Sequence, residues 1–157
     1  NSYNGLVPRV GGFEGGTVTW APTNITYGHN NRSAQFRLPQ NRYCIENRAA
    51  DMTMNVYLAL AMTLSAAMDG IKNKIDPGKP TDQDLYQMTE DQFKKLGIKR
   101  LPKNLLQAIE ALKNNKLSDE VLGSVMKKSF LSYKNDEWER YHQAVTDWEV
   151  KEYLRLY

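Results

Sequence analysis

Asn30-Asn31-Arg32-Ser33-Ala34-Gln35-Phe36-Arg37-Leu38-Pro39-Gln40-Asn41-Arg42-Tyr43-Cys44-Ile45-Glu46-Asn47-Arg48 is the stretch on which the fold turns. Ser33 to Leu38 alternates polar and apolar residues, the pattern of a half-buried strand. Pro39-Gln40-Asn41 turns the chain, and Arg42 to Arg48 reads as a further strand. Side chains on a strand alternate with period two, so Ser33, Gln35 and Arg37 share one face. By the same rule Cys44, Glu46 and Arg48 share a face of the second strand. Arg32, Arg37, Arg42, Glu46 and Arg48 together form the densest polar cluster of the chain. Guanidinium groups bind phosphates and carboxylates through two parallel hydrogen bonds. A carboxylate among them can hold a divalent cation that bridges phosphate oxygens. Two readings follow from the pattern: a nucleotide-phosphate and carboxylate site, or a solvated strand face laced with ion pairs.

Before this stretch the chain is rich in turns and short β-prone runs. Gly11-Gly12 and Gly15-Gly16 flank Phe13-Glu14 and predict a mobile loop over 9–16. Thr17-Val18-Thr19-Trp20 is β-prone and ends at Pro22, and Ile25-Thr26-Tyr27 is a second such run. Gly28-His29-Asn30-Asn31 supplies turn chemistry. After residue 50 the pattern becomes helical. Asn55 to Ile75 reads as a helix stopped by Asp76-Pro77-Gly78-Lys79-Pro80. Thr89-Glu90-Asp91-Gln92 has capping-box spacing and opens a short helix ending near Gly97. Pro102 suits the first turn of a helix carrying Leu105, Leu106, Ile109 and Leu112. Asp119 to about Val145 reads as one long helix broken near Gly123. Thr146-Asp147-Trp148-Glu149 is a second capping box, opening a terminal helix through Tyr157. Strands and loops over 1–50 followed by a mainly helical 51–157 predict an α+β fold with antiparallel strands.

Composition bounds the function. The 157 residues are 41% hydrophobic and 25% charged, values ordinary for one globular domain. Basic and acidic residues number 21 and 18 and are interspersed, so no nucleic-acid partner is expected. The nearly apolar run Met52 to Met68 contains Asn55, Thr63 and Ser65 and lies between Asp51 and Asp69. It is short for a membrane span and reads as a buried core helix. Cys44 is the single cysteine, which excludes an internal disulfide and fits a reducing compartment. Asn24-Ile25-Thr26 and Asn31-Arg32-Ser33 match the glycosylation pattern and are read as chance. The chain opens at Asn1 without Met, so a processed or truncated start would hide any targeting segment.

Several stretches resemble the glutamine synthetase family, in family order and near family spacing. Asn1-Ser2-Tyr3 with Leu6-Val7-Pro8 resembles the family's Asn-Ser-Tyr-Lys-Arg-Leu-Val-Pro. Asn31-Arg32-Ser33-Ala34 and Arg37-Leu38-Pro39 resemble its Asn-Arg-Ser-Ala and Arg-Ile-Pro segment, and Ile45-Glu46-Asn47-Arg48 its Ile-Glu-X-Arg. Asn55-Val56-Tyr57-Leu58 and Asp69-Gly70-Ile71-Lys72-Asn73-Lys74-Ile75 resemble the two ends of a family helix. The resemblance implies an ATP-dependent ligase using Mg²⁺ or Mn²⁺, which phosphorylates glutamate and lets an amine displace the phosphate. By that resemblance Arg32 stabilises the transferring phosphoryl group, the main electrostatic task in such chemistry. Arg37 contacts nucleotide phosphates, Glu46 is a metal ligand, and Arg48 grips a glutamate carboxylate. The resemblance also implies a carboxyl-terminal part of the catalytic domain. Most metal-binding carboxylates of the family lie earlier in its sequence. The chain alone is therefore expected to be inactive, the full-length protein a homo-oligomer, and the location cytoplasmic.

Departures from the family pattern bear on the amine. The family's Lys-Arg after Asn-Ser-Tyr is Asn4-Gly5 here, which leaves Arg9 as a substitute for a glutamate-binding arginine. The arginine before Ile-Glu-X-Arg is Cys44, with Arg42 as a nucleotide-phosphate substitute two residues away. Glutamine synthetases carry a glutamate before an Ala-Pro pair on a flap that handles ammonium. Here Trp20 precedes Ala21-Pro22. An indole ring takes no proton but can line a pocket for an alkyl group, and Glu14 is the other carboxylate nearby in sequence. The reading favoured is a γ-glutamyl amide ligase for a methylamine-type substrate. Glutamine synthetase proper, using ammonia, is the alternative. A non-catalytic binding or regulatory module of the same fold is the alternative of another class, suggested by Gly5 and Cys44. His29 reads as a turn residue. His142 reads as a packed or surface residue near Trp138 and Trp148, and two distant histidines give no zinc site.

Overall fold

The computed structural model describes residues 21–154 apart from Met52. The chain divides after Asn104 into two compact units. In the first unit, strands β1 (Asn24–His29), β2 (Ala34–Leu38), β3 (Glu46–Asn47) and β4 (Lys99–Arg100) form one sheet in the order β3-β2-β1-β4. β2 pairs with β3, and β1 with β4, in antiparallel fashion. β1 and β2 depart from the expected antiparallel arrangement and run parallel, with Tyr27 opposite Phe36 and His29 opposite Leu38. The link between them makes this possible. Asn30 takes a left-handed conformation at φ 53. Asn31 Oδ1 then accepts from the backbone N–H of Ser33 at 2.9 Å and from its Oγ at 2.6 Å. This side-chain turn redirects the chain within four residues, where a parallel pair ordinarily needs a long crossover.

The strand expected over Arg42 to Arg48 shortens to Glu46–Asn47. The N–H of Cys44 bonds to the carbonyl of Arg42 at 3.1 Å, a tight local turn that takes Arg42 to Ile45 out of the ladder. Thr17 to Trp20, also expected as a strand, lies outside the described residues.

Helix α1 (Val56–Lys72) begins where Asn55 Oδ1 accepts from the N–H groups of Tyr57 and Leu58. It ends at Asn73, before the Asp76 to Pro80 turn expected to stop it. The expectation of a buried core helix is overturned: no residue of α1 is buried. Leu60, Leu64, Met68 and Ile71 recur at helical spacing along one exposed face, with Leu64 at 63% of its full accessibility. Among the described residues the core of this unit lies elsewhere. Ala34 of β2, Leu85 and Phe93 are buried together, with Met88 and Ile98 packed against them. Leu85 sits on a single 3-10 turn, Leu85–Gln87, and its N–H donates to Ser33 Oγ at 3.0 Å. Phe93 belongs to α2 (Glu90–Leu96), opened by the predicted Thr89–Gln92 capping box and closed at Gly97.

The segment after α1 returns along β1. The N–H of Thr81 donates to the carbonyl of Tyr27 at 2.8 Å. The approach requires glycine at position 28, because a Cβ there would stand 2.2 Å from the carbonyl oxygen of Thr81.

The second unit is helical: α3 (Leu105–Lys113), α4 (Lys116–Gln143) and α5 (Asp147–Tyr153). Pro102 precedes α3 rather than lying in its first turn. α4 is interrupted at Gly123, as its sequence predicts, with φ 68 and ψ 165. Lys127 is buried and ties the α3–α4 junction together. Its Nζ donates to the carbonyls of Lys113 and Asn115 at 3.0 and 3.2 Å and to Asp119 Oδ1 at 2.7 Å. The second capping box forms between Thr146 and Glu149.

Candidate functional site

Four of the five residues of the polar cluster meet at the β2–β3 edge. Arg37 and Glu46 are direct cross-strand partners. Arg37 Nη1 donates to Glu46 Oε2 at 2.9 Å, and Arg42 Nη2 reaches the same oxygen at 3.2 Å. Arg48 Nε lies 3.3 Å from Glu46 Oε1. The side chains of Arg37 and Arg48 retain 13% and 15% of their exposure, against 60% for Arg42. One carboxylate is thus flanked by three guanidiniums, two of them largely buried. Burial alone pushes the Glu46 carboxyl up. The hydrogen bond from Arg37, with the charges of Arg37, Arg48 and Arg42, more than offsets this and holds it below the usual carboxylate range. Cys44, expected to share their face, is exposed.

Arg37 also carries the cluster toward the β1–β2 link. Its Nη2 donates to Asn30 Oδ1. The exposed Arg32 lines a neighbouring cleft with His29, Asn31, Ser33, Asp82 and Asp84. Asn31 secures the rim, donating from Nδ2 to the carbonyls of Thr81 and Gln83 at 2.7 and 2.9 Å. In the same cleft Asp82 binds His29 twice. His29, expected as a plain turn residue, is the last residue of β1 and has a carboxylate partner. Asp82 follows 53 residues later, and no local motif marks it. His142 packs on Trp138, ring centroids 3.7 Å apart, as a helix-surface residue.

A cluster of three guanidiniums with net positive charge can bind phosphate or carboxylate groups. The same cluster fits a divalent cation poorly by itself. Among the described residues no group of three or more His, Cys, Asp and Glu is placed to hold a metal ion. Such a cation takes about six oxygen ligands, and Glu46 is one carboxylate already balanced by arginines. Further ligands would have to come from other residues. Trp20, Glu14, Arg9 and Gly5 lie outside the described residues. Among the described residues no helix is long and apolar enough to cross a membrane.

Comparison with known proteins sets this geometry in a family. Residues 1–153 match the catalytic domain of glutamine synthetase. The chain belongs to the glutamine synthetase family. It is 43% identical over 157 residues to the glutamate–methylamine ligase of Methyloversatilis universalis, covering 100% of this chain and 34% of that protein. It is 40% identical over 159 residues to the glutamine synthetase of Methanococcus maripaludis, covering 99% of this chain and 34% of the relative. The solved structure of GmaS with ADP superposes with a TM-score of 0.77 at 32% identity, over 97% of this chain and 36% of that one. Ligand-free GmaS gives a TM-score of 0.72 at 35% identity, over 85% of this chain and 30% of that one. The chain therefore spans about a third of the length of the relatives it matches.

Proposed function

We propose that this chain is the carboxyl-terminal part of the catalytic domain of an ATP-dependent ligase. The ligase joins glutamate to a small amine, of the methylamine type first, through γ-glutamyl phosphate. The observation that carries this reading is the convergence of Arg37, Arg42 and Arg48 on Glu46, beside the cleft of Arg32. Excess positive charge at a sheet edge suits anionic phosphate and carboxylate groups. Arg37 and Arg42 hold nucleotide phosphates, and Arg48 holds a glutamate carboxylate. Arg32 neutralises charge on the phosphoryl group in flight; such preorganised electrostatics dominate phosphoryl transfer. Glu46 orients the arginines and would supply one ligand to the Mg²⁺ or Mn²⁺ that accompanies ATP, with the other ligands coming from other residues. That cation would neutralise phosphate charge when bound.

From the sequence, Trp20 is the candidate apolar contact for the alkyl group of the amine, and Glu14 the candidate carboxylate. The near-equal identity to a methylamine ligase and to a glutamine synthetase supports ammonia as the second reading. The protein acts in the cytoplasm as a homo-oligomer. In the full-length protein, glutamate-dependent phosphate release from ATP distinguishes the amines. Faster turnover with methylamine or ethylamine than with ammonium supports the substituted-amine reading. Preference for ammonium replaces it with glutamine synthetase proper, and no release with any amine removes the ligase reading.

A further inference from the structure

His29 and Asp82 occupy the Arg32 cleft without a part in the roles given above. The N–H of His29 donates to Asp82 Oδ1 at 2.6 Å, and His29 Nδ1 lies 3.2 Å from Asp82 Oδ2. One carboxylate therefore fixes both the backbone and the ring. A carboxylate only accepts hydrogen bonds, so the pairing places a proton on Nδ1 and makes Nε2 the nitrogen through which the neutral ring would accept one. The ionisable groups that line the cleft with His29 are Arg32, Asp82, Asp84 and Tyr86. Asp84 is engaged locally, accepting from the N–H of Tyr86 and from Gln87 Nε2. Asp82 and Asp84 outnumber Arg32, so with a neutral His29 the cleft is net negative, which suits a cationic amine. Asn30, the residue after His29, accepts from Arg37 Nη2 and so links the histidine to the arginine cluster.

An alkylamine at neutral pH is an ammonium ion with no lone pair, and it cannot attack a carbonyl until a proton leaves. We infer that His29, oriented by Asp82, is the catalytic base that accepts this proton in the Arg32 cleft. The inference rests on the ligase reading and deepens it. His29 Nε2 takes one proton from the ammonium. The freed lone pair forms the C–N bond at the γ-carbonyl carbon of γ-glutamyl phosphate. The C–O bond to phosphate breaks, and phosphate leaves with the bonding pair. The second amine proton departs with the phosphate, giving neutral amide, hydrogen phosphate and a protonated imidazole.

The test compares two nucleophiles in the full-length protein: methylamine, which is protonated at neutral pH, and hydroxylamine, which is not. For His29→Gln, kcat/KM for methylamine is expected to fall about 10²-fold or more, the usual scale for losing a general base. γ-Glutamyl hydroxamate formation should stay within about threefold of the parent, because the step removed is not needed there. Asp82→Asn keeps the ring but releases its tautomer, and it should show the same split at smaller size. Equal loss with both nucleophiles would overturn the base role, as would unchanged methylamine turnover. A parent that makes neither product would overturn the ligase reading itself.

Discussion

Arg37 and Glu46 face each other across the β2–β3 ladder, with Nη1 and Oε2 2.9 Å apart, and two further arginines share the same carboxylate. The carboxylate is what allows three guanidiniums to stand together. Glu46→Gln removes the negative charge that the largely buried Arg37 and Arg48 share. A loss of about 2 kcal/mol is expected, below the ~3–5 kcal/mol for breaking a fully buried pair because Glu46 is partly solvated. Chemical denaturation checks it, and an unchanged midpoint would show that the cluster is energetically neutral.

The same pairing sets a pH response. Glu46 is held below its ordinary value, and Asp82 is lowered by the backbone and side-chain hydrogen bonds of His29. A carboxyl depressed in the folded state stabilises it above the unfolded pKa, and that contribution is lost as pH falls through the folded one. Stability should therefore decline on acidification below the ordinary carboxylate range. Thermal melts across that range check this, and the Glu46→Gln variant should show a shallower decline.

Gly28→Ala is expected to destabilise the first unit by about 3 kcal/mol, the upper end for overpacking. The added methyl meets a backbone carbonyl, that of Thr81, which cannot move without breaking its own segment's bond to Tyr27. A melting temperature equal to the parent's would contradict the close approach.

At Gly123 the cost has another source. Its φ of 68 with ψ of 165 is open essentially to glycine alone. No neighbour lies within 4 Å of an added Cβ, so only backbone strain is at issue. Gly123→Ala should cost about 1–3 kcal/mol, or else straighten α4 into one continuous helix. Helix content by circular dichroism separates the two, since straightening alone raises it.

What was legible in the sequence follows from how local each signal is. Both capping boxes, the break at Gly123 and the start of α1 depend on residues within one turn, and each was placed from the residues alone. The family motifs and strand alternation brought Arg37, Glu46 and Arg48 into one group, which the ladder then joined. The parallel β1–β2 pairing is not legible in the sequence because it hinges on Asn30 taking a left-handed conformation, which the residue type permits without requiring. β4 is two residues long and pairs with a strand over seventy positions earlier, too short and distant for any window to find. The Asp82 partner of His29 escaped for the same reason. The exposure of α1 is hidden from the sequence for a different reason. Apolar composition shows that a face is fit to be covered, while coverage depends on what packs there.

That open face has a practical side. Leu60, Leu64, Met68 and Ile71 form a sticky ridge along almost the whole length of α1. Apolar patches of this kind drive self-association when nothing shields them. Preparations of the 157-residue chain by itself should scatter light more strongly as concentration rises, bind hydrophobic dyes, and keep better with a mild detergent than with added salt.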